Sequence, residues 1–491
     1  MMKKSSFALA TVAVLVAAWA GGAWYSGKVL QEKYPEYIRN NNEKVAANYN
    51  VAFHGIYRFE VKNVKLERNF FSTEIEDHLI VTDLEENKQY IFPFKTTAEH
   101  GPLPLSRLSS LKLTPVLTAA RSELAENPSI SELFKASKGV APYSGNFSIS
   151  YGGQIQQTST IAAFDYNNEQ ISVNSTPIHI ESDTNQDGIG LIKLQLDKWV
   201  STVPATEYND NYEKISVKRT LTFENVTLDS DLKPTNWKYI PNGKQLFNIG
   251  LVNINDEADE AVEGYTPANT QLKNVRLDYN TTLNNDFVDY RINNSIESLT
   301  AQGENFGQID LNLNLGHLSA EYLNQGIEAF TNPNPKQQEE QVTAAGLSLL
   351  QHQPTFSIQL FKLKNSAGEN QLTFDLAFAK VDQQAALMQG KFLSLFDKLE
   401  MNANINRQSA EVFSTSISKL DGVENPEAAA KAELDAALQE AVAQNALTTD
   451  DNGATYQSKL ILENGELKFN GEVIPEEAIA QTLMMILMGG L

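Results

Sequence analysis

The sequence predicts a strand-rich α+β protein: an N-terminal transmembrane helix followed by a large, curved, mostly antiparallel β-sheet assembly with helix pairs on one face. Three observations carry this prediction. One-sided alternation of apolar and polar residues recurs along most of the chain, as half-buried strands require. The dipeptides Asn464-Gly465 and Asn470-Gly471 and the stretch Ser366-Ala367-Gly368 separate consecutive alternating runs, and loops that short make neighbouring strands antiparallel. Helical spacing, by contrast, is confined to a few clusters.

At the start, Ser5 to Gly27 contains no charged residue and follows Lys3 and Lys4. At ~1.5 Å rise per residue this segment makes a helix of roughly 35 Å, enough to cross a ~30 Å hydrocarbon layer with some tilt. Phe7, Leu9, Val14, Leu15 and Val16 form its apolar body, and Trp19, Trp24 and Tyr25 suit the membrane–water boundary. The lysines hold the N-terminus in the cytoplasm, so the remainder is expected to be exported. Ala18-Trp19-Ala20 before Gly21 also fits a signal-peptidase site. The apolar run continues past that point, however, and Trp19 sits inside the small-residue motif, which favours a retained anchor.

Residues 1–27 are therefore read as cytoplasmic tip and anchor, and 28–50 as a polar stalk. Alternation begins with Tyr57, Phe59 and Val61, then Val64 and Leu66. It returns at Val217, Leu221 and Phe223, at Val275, Leu277, Tyr279 and Leu283, and at Ile309, Leu311, Leu313 and Leu315, whose alternates are Asp310, Asn312 and Asn314. Strand regions fall at 51–98, 143–315, 355–405 and 454–474.

Helices are expected where apolar residues recur at helical spacing. Val116, Leu117, Ala120 and Leu124 give one such face, followed by Asn127-Pro128, a capping box from Ser129 to Glu132, and Gly139 as the stop. Leu323, Ile327 and Phe330, then Val342, Ala345, Gly346 and Leu349, give a second pair. Phe413, Ile417 and Leu420, ended by Gly422, and Leu434, Leu438, Ala441 and Val442 give a third. The expected organisation is a β-rich domain over 51–316 with an inserted helix pair at 114–139, and an α+β domain over 317–491. Between Tyr143 and Leu315 no helix is evident to cover the one-sided strands. Either the sheet curls onto itself or an apolar face stays open for a ligand or partner.

The C-terminal segment from Pro475-Glu476-Glu477 reads as a helix with Ile479, Leu483, Ile486 and Leu487 on one face and Met484, Met485 and Met488 making the rest apolar. It is too short to span a bilayer. Either it docks over the preceding hairpin, or Ile479, Leu483, Met484, Ile486 and Leu487 contact lipid or a partner.

Composition removes several functions. With 39 Lys and Arg against 61 Asp and Glu, the formal charge is −22, which repels nucleic acid and anionic headgroups. The absence of cysteine excludes thiol nucleophiles, thiolate metal sites and redox pairs. Asp183-Thr184-Asn185-Gln186-Asp187-Gly188 matches the first half of an EF-hand loop, but Leu194 stands where the bidentate Glu belongs and strands flank it, so a hairpin turn is expected. The six histidines, His54, His78, His100, His179, His317 and His352, show no zinc-protease spacing, and neither a G-x-S-x-G elbow nor a phosphate-binding loop occurs. His100, in Glu99-His100-Gly101-Pro102, reads as a structural turn residue. No cofactor, metal or catalytic residue is assigned.

Several segments together resemble the YdgA-like family of bacterial envelope proteins, whose function is uncharacterised. The resemblance rests on Gly22-Ala23-Trp24-Tyr25-Ser26-Gly27-Lys28 and His100-Gly101-Pro102-Leu103-Pro104-Leu105, with weaker support from Phe71-Ser72 and Gly316-His317-Leu318. It implies an inner-membrane anchor and a periplasmic body in a Gram-negative bacterium. The expected function is non-enzymatic: binding an apolar, lipid-like ligand or supporting envelope assembly and maintenance. The alternative is an interaction scaffold forming a homo-oligomer or a complex with an envelope protein. A third reading, an envelope glycan hydrolase, would need two carboxyls placed across a cleft.

Overall fold

Ala23, Ser26, Gly27, Leu30 and Tyr34 fall at i, i+3, i+4, i+7 and i+11, a single helical face, and in the computed structural model that face lies on a β-sheet. The structure describes residues 2–52, 56–209, 211–258, 264–330, 334–381, 385–386, 389–476 and 478–479, the side chains of 2–17 and 44–52 excepted. Helix α1 (Met2–Ala52) unites the uncharged segment with the polar residues that follow and contains Pro35. The expected stalk is therefore helical, and it is not a free spacer, since Leu30 and Tyr34 pack against Ile75, Ala98 and Ala120 of the sheet. Among the described residues no helix is long and apolar enough to cross a membrane; the side chains of Phe7, Leu9, Val14, Leu15 and Val16 lie outside the description.

The chain forms two compact units, Met1–Thr202 and Val203–Leu491. In the first, β1 (Tyr57–Arg68), β2 (Ser72–Asp83), β3 (Lys88–His100), β4 (Thr118–Leu124), β5 (Tyr143–Ile149) and β6 (Ile155–Ile161) follow one another as antiparallel neighbours. A short helix, α2 (Leu105–Ser109), lies in the β3–β4 connection, and α3 (Ser131–Ala136) in the β4–β5 connection. Then β7 (Asp165–Asn167) pairs with β8 (Ser172–Ser175), β9 (Ile178–Thr184) joins β6, and β10 (Gly190–Tyr208) pairs with both β9 and β8. The alternation through β1 breaks at Val64 because the register shifts between Asn63 and Lys65, and this bulge leaves Val64 exposed.

The helix expected at Val116 to Leu124 is instead β4. The i, i+4, i+8 spacing is coincidental: Ala120, with Ile75 and Ala98, packs against Leu30 and Tyr34 of α1, and tertiary packing overrides the helical propensity of alanine. The inserted helical element shrinks to α3, whose Phe134 joins Leu124 and Ile130 in a small core. Its lead-in is capped by Asn127, which accepts from Ser129 N at 2.9 Å, rather than by the expected Ser129 box. Gly139 does close the helix, at φ +80°, with its N–H donating to Phe134 O.

The second unit is a meander of β11 (Lys214–Lys233), β12 (Asn242–Ala258), β13 (Asn269–Asn284), β14 (Phe287–Ala301), β15 (Glu304–Ser319), β16 (Thr355–Asn365), β17 (Gly368–Phe378) and β18 (Phe396–Asn406), every neighbouring pair antiparallel. Beyond β18 lies β20 (Thr455–Glu463), which also carries the short β19 (Thr448–Thr449), followed by β21 (Glu466–Phe469) and β22 (Glu472–Ile474). The expected helix pairs are present: α4 (Ala320–Ala329) with α5 (Pro335–Gln351), and α6 (Arg407–Leu420) with α7 (Pro426–Ala443). Residue 316, the expected end of the β-rich domain, lies within β15, and the first unit ends at Thr202. Asn464 and Gly465 have φ +55° and +79°, and Asn470 and Gly471 +46° and +89°, the positive pair that a two-residue hairpin turn demands.

Candidate functional site

The three strongest sequence motifs, far apart in the chain, meet along one side of α1. The loop after β3 steps along the helix toward its N-terminus. His100 sits over Gly27, where a β-carbon would fall 2.3 Å from its Cε1, and Pro102 sits over Gly22, where a β-carbon would fall 2.6 Å from its Cδ. Leu103 O then accepts from Trp19 Nε1 at 2.8 Å. From the β1–β2 turn, Phe71 stacks on the Trp19 ring at 5.0 Å, and Arg68 lies over Trp24 while donating to Trp24 O at 2.9 Å. Small residues at 22, 23, 26 and 27 are what allow helix and loops to approach so closely.

His100 is the pin of this joint. Its Nδ1–H donates to Phe70 O at 3.0 Å, and its Nε2 accepts from the Thr73 hydroxyl at 2.8 Å, a tautomer set by the carbonyl partner. Burial holds the imidazole below its ordinary pKa, with Arg68 pushing the same way and the Phe70 carbonyl opposing. The expected structural role is the one its contacts describe. Further along α1, the Asn42 amide pairs with the backbone of β1, accepting from Val61 N at 2.7 Å and donating to Val61 O at 2.8 Å, so the helix occupies part of the sheet's edge. Tyr34 OH donates to Asp77. Of the predicted anchor residues with described side chains, Trp19 is partly buried in the joint, whereas Trp24 and Tyr25 are exposed.

The second unit holds a different surface. Leu228, Phe247, Leu277, Asn294, Leu311, Phe361 and Leu372 are successive cross-strand partners. Tyr279, Ile292, Leu313, Ile358, Phe374, Met401 and Leu460 form the adjacent row. None of these side chains is fully buried. The reverse face is polar, with the Lys362–Asp310 pair at 2.7 Å and a depression of about 490 Å³ walled by Asn248, Asn274, Arg276, Ser295 and Glu297.

Among the described residues, helices meet the apolar face at the strand ends. At one end Ala320 of α4 packs with Ile240, Val288, Leu283 and Tyr290. At the other, the buried Ser409 of α6 accepts from Asn370 Nδ2 at 2.9 Å, and Phe413 meets Phe306. Two polar features stand out in this unit. The Asn294 Oδ1 is buried without a hydrogen-bond partner. Near the start of β11, Arg219 binds the fully buried Asp256 carboxylate at 2.6 and 2.8 Å and also bonds to Glu207, which holds the guanidinium charged.

The sequence reading missed Asn42, Arg219 and Asp256, though Arg219 lies in phase with Val217 and Leu221 in the alternation. The Asp183–Gly188 stretch is the expected hairpin turn: Asn185 Oδ1 accepts from Asp187 N and Ile189 N, and Asp183 accepts from Gln154 and Gln156. Ile479 is helical and partly buried, and Glu476 accepts from Leu393 N; Leu483, Met484, Ile486 and Leu487 lie outside the described residues.

A protein called YdgA from Escherichia coli K12 is 23% identical over 96% of this chain and 95% of its own length, and the E. coli K12 protein YihF is 22% identical over 97% and 98%. An uncharacterised Haemophilus influenzae protein is 25% identical over 66% of this chain and 85% of its own length. No solved structure matches significantly. A family model described as "Bacterial protein of unknown function (DUF945)" matches residues 2–477, so the chain belongs to that family.

Proposed function

We propose that this is an inner-membrane-anchored periplasmic protein, non-enzymatic, that holds a lipid-like apolar ligand on the uncovered face of the second-unit sheet in support of envelope assembly or maintenance. The observation that carries the reading is the pair of apolar rows, over which no helix of the described residues lies between α4 and α6. Folded chains rarely leave contiguous apolar patches above a few hundred Å² without a use for them. Seven strands at about 4.8 Å spacing make a row about 29 Å across, longer than the roughly 15 Å of one leaflet's hydrocarbon. Asn294 adds an acceptor without a partner inside that row.

Retention of the anchor is supported by the joint. Trp19, before the candidate cleavage point, and Gly22 and Gly27, after it, all touch the same loops, so cleavage at Ala20 would remove the Trp19 contacts from a packed interface. The test uses the full chain extracted from membranes, with bound lipid identified by mass spectrometry. A stoichiometric lipid that disappears in the Leu313→Asp/Phe361→Asp variant, with thermal melting unchanged, is expected. An extract matching detergent blanks, or a crosslinked homodimer through these rows in its place, would contradict the lipid reading and leave the scaffold one.

A further inference from the structure

The joint leaves too little of the uncharged segment to cross a bilayer unaided. Trp19 to Gly27 lies against the folded loops, so only Ser5 to Ala18, 14 residues or about 21 Å of helix, is left for the hydrocarbon layer. A ~30 Å hydrocarbon layer exceeds that by about 9 Å. The same end of the first unit displays an unusual set of exposed apolar side chains: Phe70, Leu105, Leu111, Leu113 and Tyr151, with Leu111 83% and Leu113 63% exposed.

Their position follows from the contacts. Phe70 adjoins the Phe71 ring that stacks on Trp19. Tyr151 OH lies 3.3 Å from Ser26 Oγ. The loop bearing the leucines begins and ends at the helix, since Val116 N donates to Pro102 O at 2.9 Å. Its first residues descend from Gly27 to Gly22 to Trp19, toward the helix N-terminus.

We infer that these loops are a membrane seat: Phe70, Leu105, Leu111 and Leu113 enter the outer boundary of the bilayer around α1 and supply the missing depth. The occupant is the lipid bilayer, because the uncharged helix continues from the end of the joint at which the loops bearing this patch meet Trp19. A depth of about 9 Å lies within the roughly 5–10 Å to which interfacial apolar surfaces bury. The chain's net charge of −22 makes the seat hydrophobic rather than electrostatic, so raised salt should not release it.

The inference rests on the anchored reading, and the test separates the two. The chain has no cysteine, so Leu111→Cys and Leu84→Cys, the latter exposed at the β2–β3 turn at the other end of β2 from Phe71, each give one labelling site for a nitrobenzoxadiazole dye on the full chain. The protein is reconstituted into phosphatidylcholine vesicles, with or without doxyl-labelled lipid, and floated on a density gradient. Co-flotation with blue-shifted emission and doxyl quenching at position 111, and neither at 84, is the expected result. Co-flotation with equal, water-like emission at both positions would overturn the seat while leaving the anchor. Failure to float would overturn the anchor and the seat with it.

Discussion

Gly27 lies directly beneath the His100 ring, so close that a β-carbon would stand 2.3 Å from Cε1 and 2.5 Å from Nδ1. A glycine in the middle of a helix normally weakens it by about 1 kcal/mol relative to alanine. Here the contact reverses that preference. Gly27→Ala should destabilise the first unit by about 1–3 kcal/mol through overpacking, visible as a lower melting temperature and faster proteolysis after Lys28. Adding His100→Ser should recover part of the loss; two independent, additive losses would show that the residues do not share the contact.

The pH dependence of the same joint has a definite sign. His100 is held neutral by burial, its pKa below the ordinary 6.5. Above that value neither folded nor unfolded chain binds the proton, and stability is complete. As pH falls below it, the unfolded chain protonates first, so stability declines until the lower folded-state pKa is reached. Melting curves from pH 7.5 to 5 should show this decline in the wild type and a flatter profile in His100→Asn.

Asn42 stands in for a strand at the edge of β1. Asn42→Ala removes two hydrogen bonds, each worth about 0.5–1.5 kcal/mol net. The expected signature is local: faster amide exchange at Val61, with exchange at the β2–β3 pairing unchanged. Uniform loss of protection would mean that Asn42 supports the whole unit.

Much of this architecture was legible in the sequence. Ile309 to Leu315 alternates, and its partners Leu363, Phe361, Ile358 and Phe356 share its face; the Asn-Gly turns dictated their hairpins through their positive φ. What stayed hidden was long-range. Ala120 gave a helical signal with Val116 and Leu124, yet its smallness suits Leu30 and Tyr34 of α1, almost a hundred residues away in sequence. The joint was visible only as separate motifs, since nothing local tells Trp19 that it meets Leu103 O.

Arg219 and Asp256 form a pair whose acidic partner is fully buried. Arg219→Ala strands that carboxylate and should cost about 3–5 kcal/mol. Arg219→Met/Asp256→Leu, which removes both charges, should be far milder. Equal losses in the two variants, measured by denaturant unfolding of the full chain, would place the effect in packing rather than charge.

Photo-crosslinking in cells tests the open face most directly. With p-benzoylphenylalanine at Leu313, on the apolar row, the protein should capture lipid, identified by mass spectrometry of the adduct; at Asn312, one residue along and on the polar face, it should not. Lipid capture at neither position, or equally at both, would contradict the assignment of this sheet as a ligand-bearing surface.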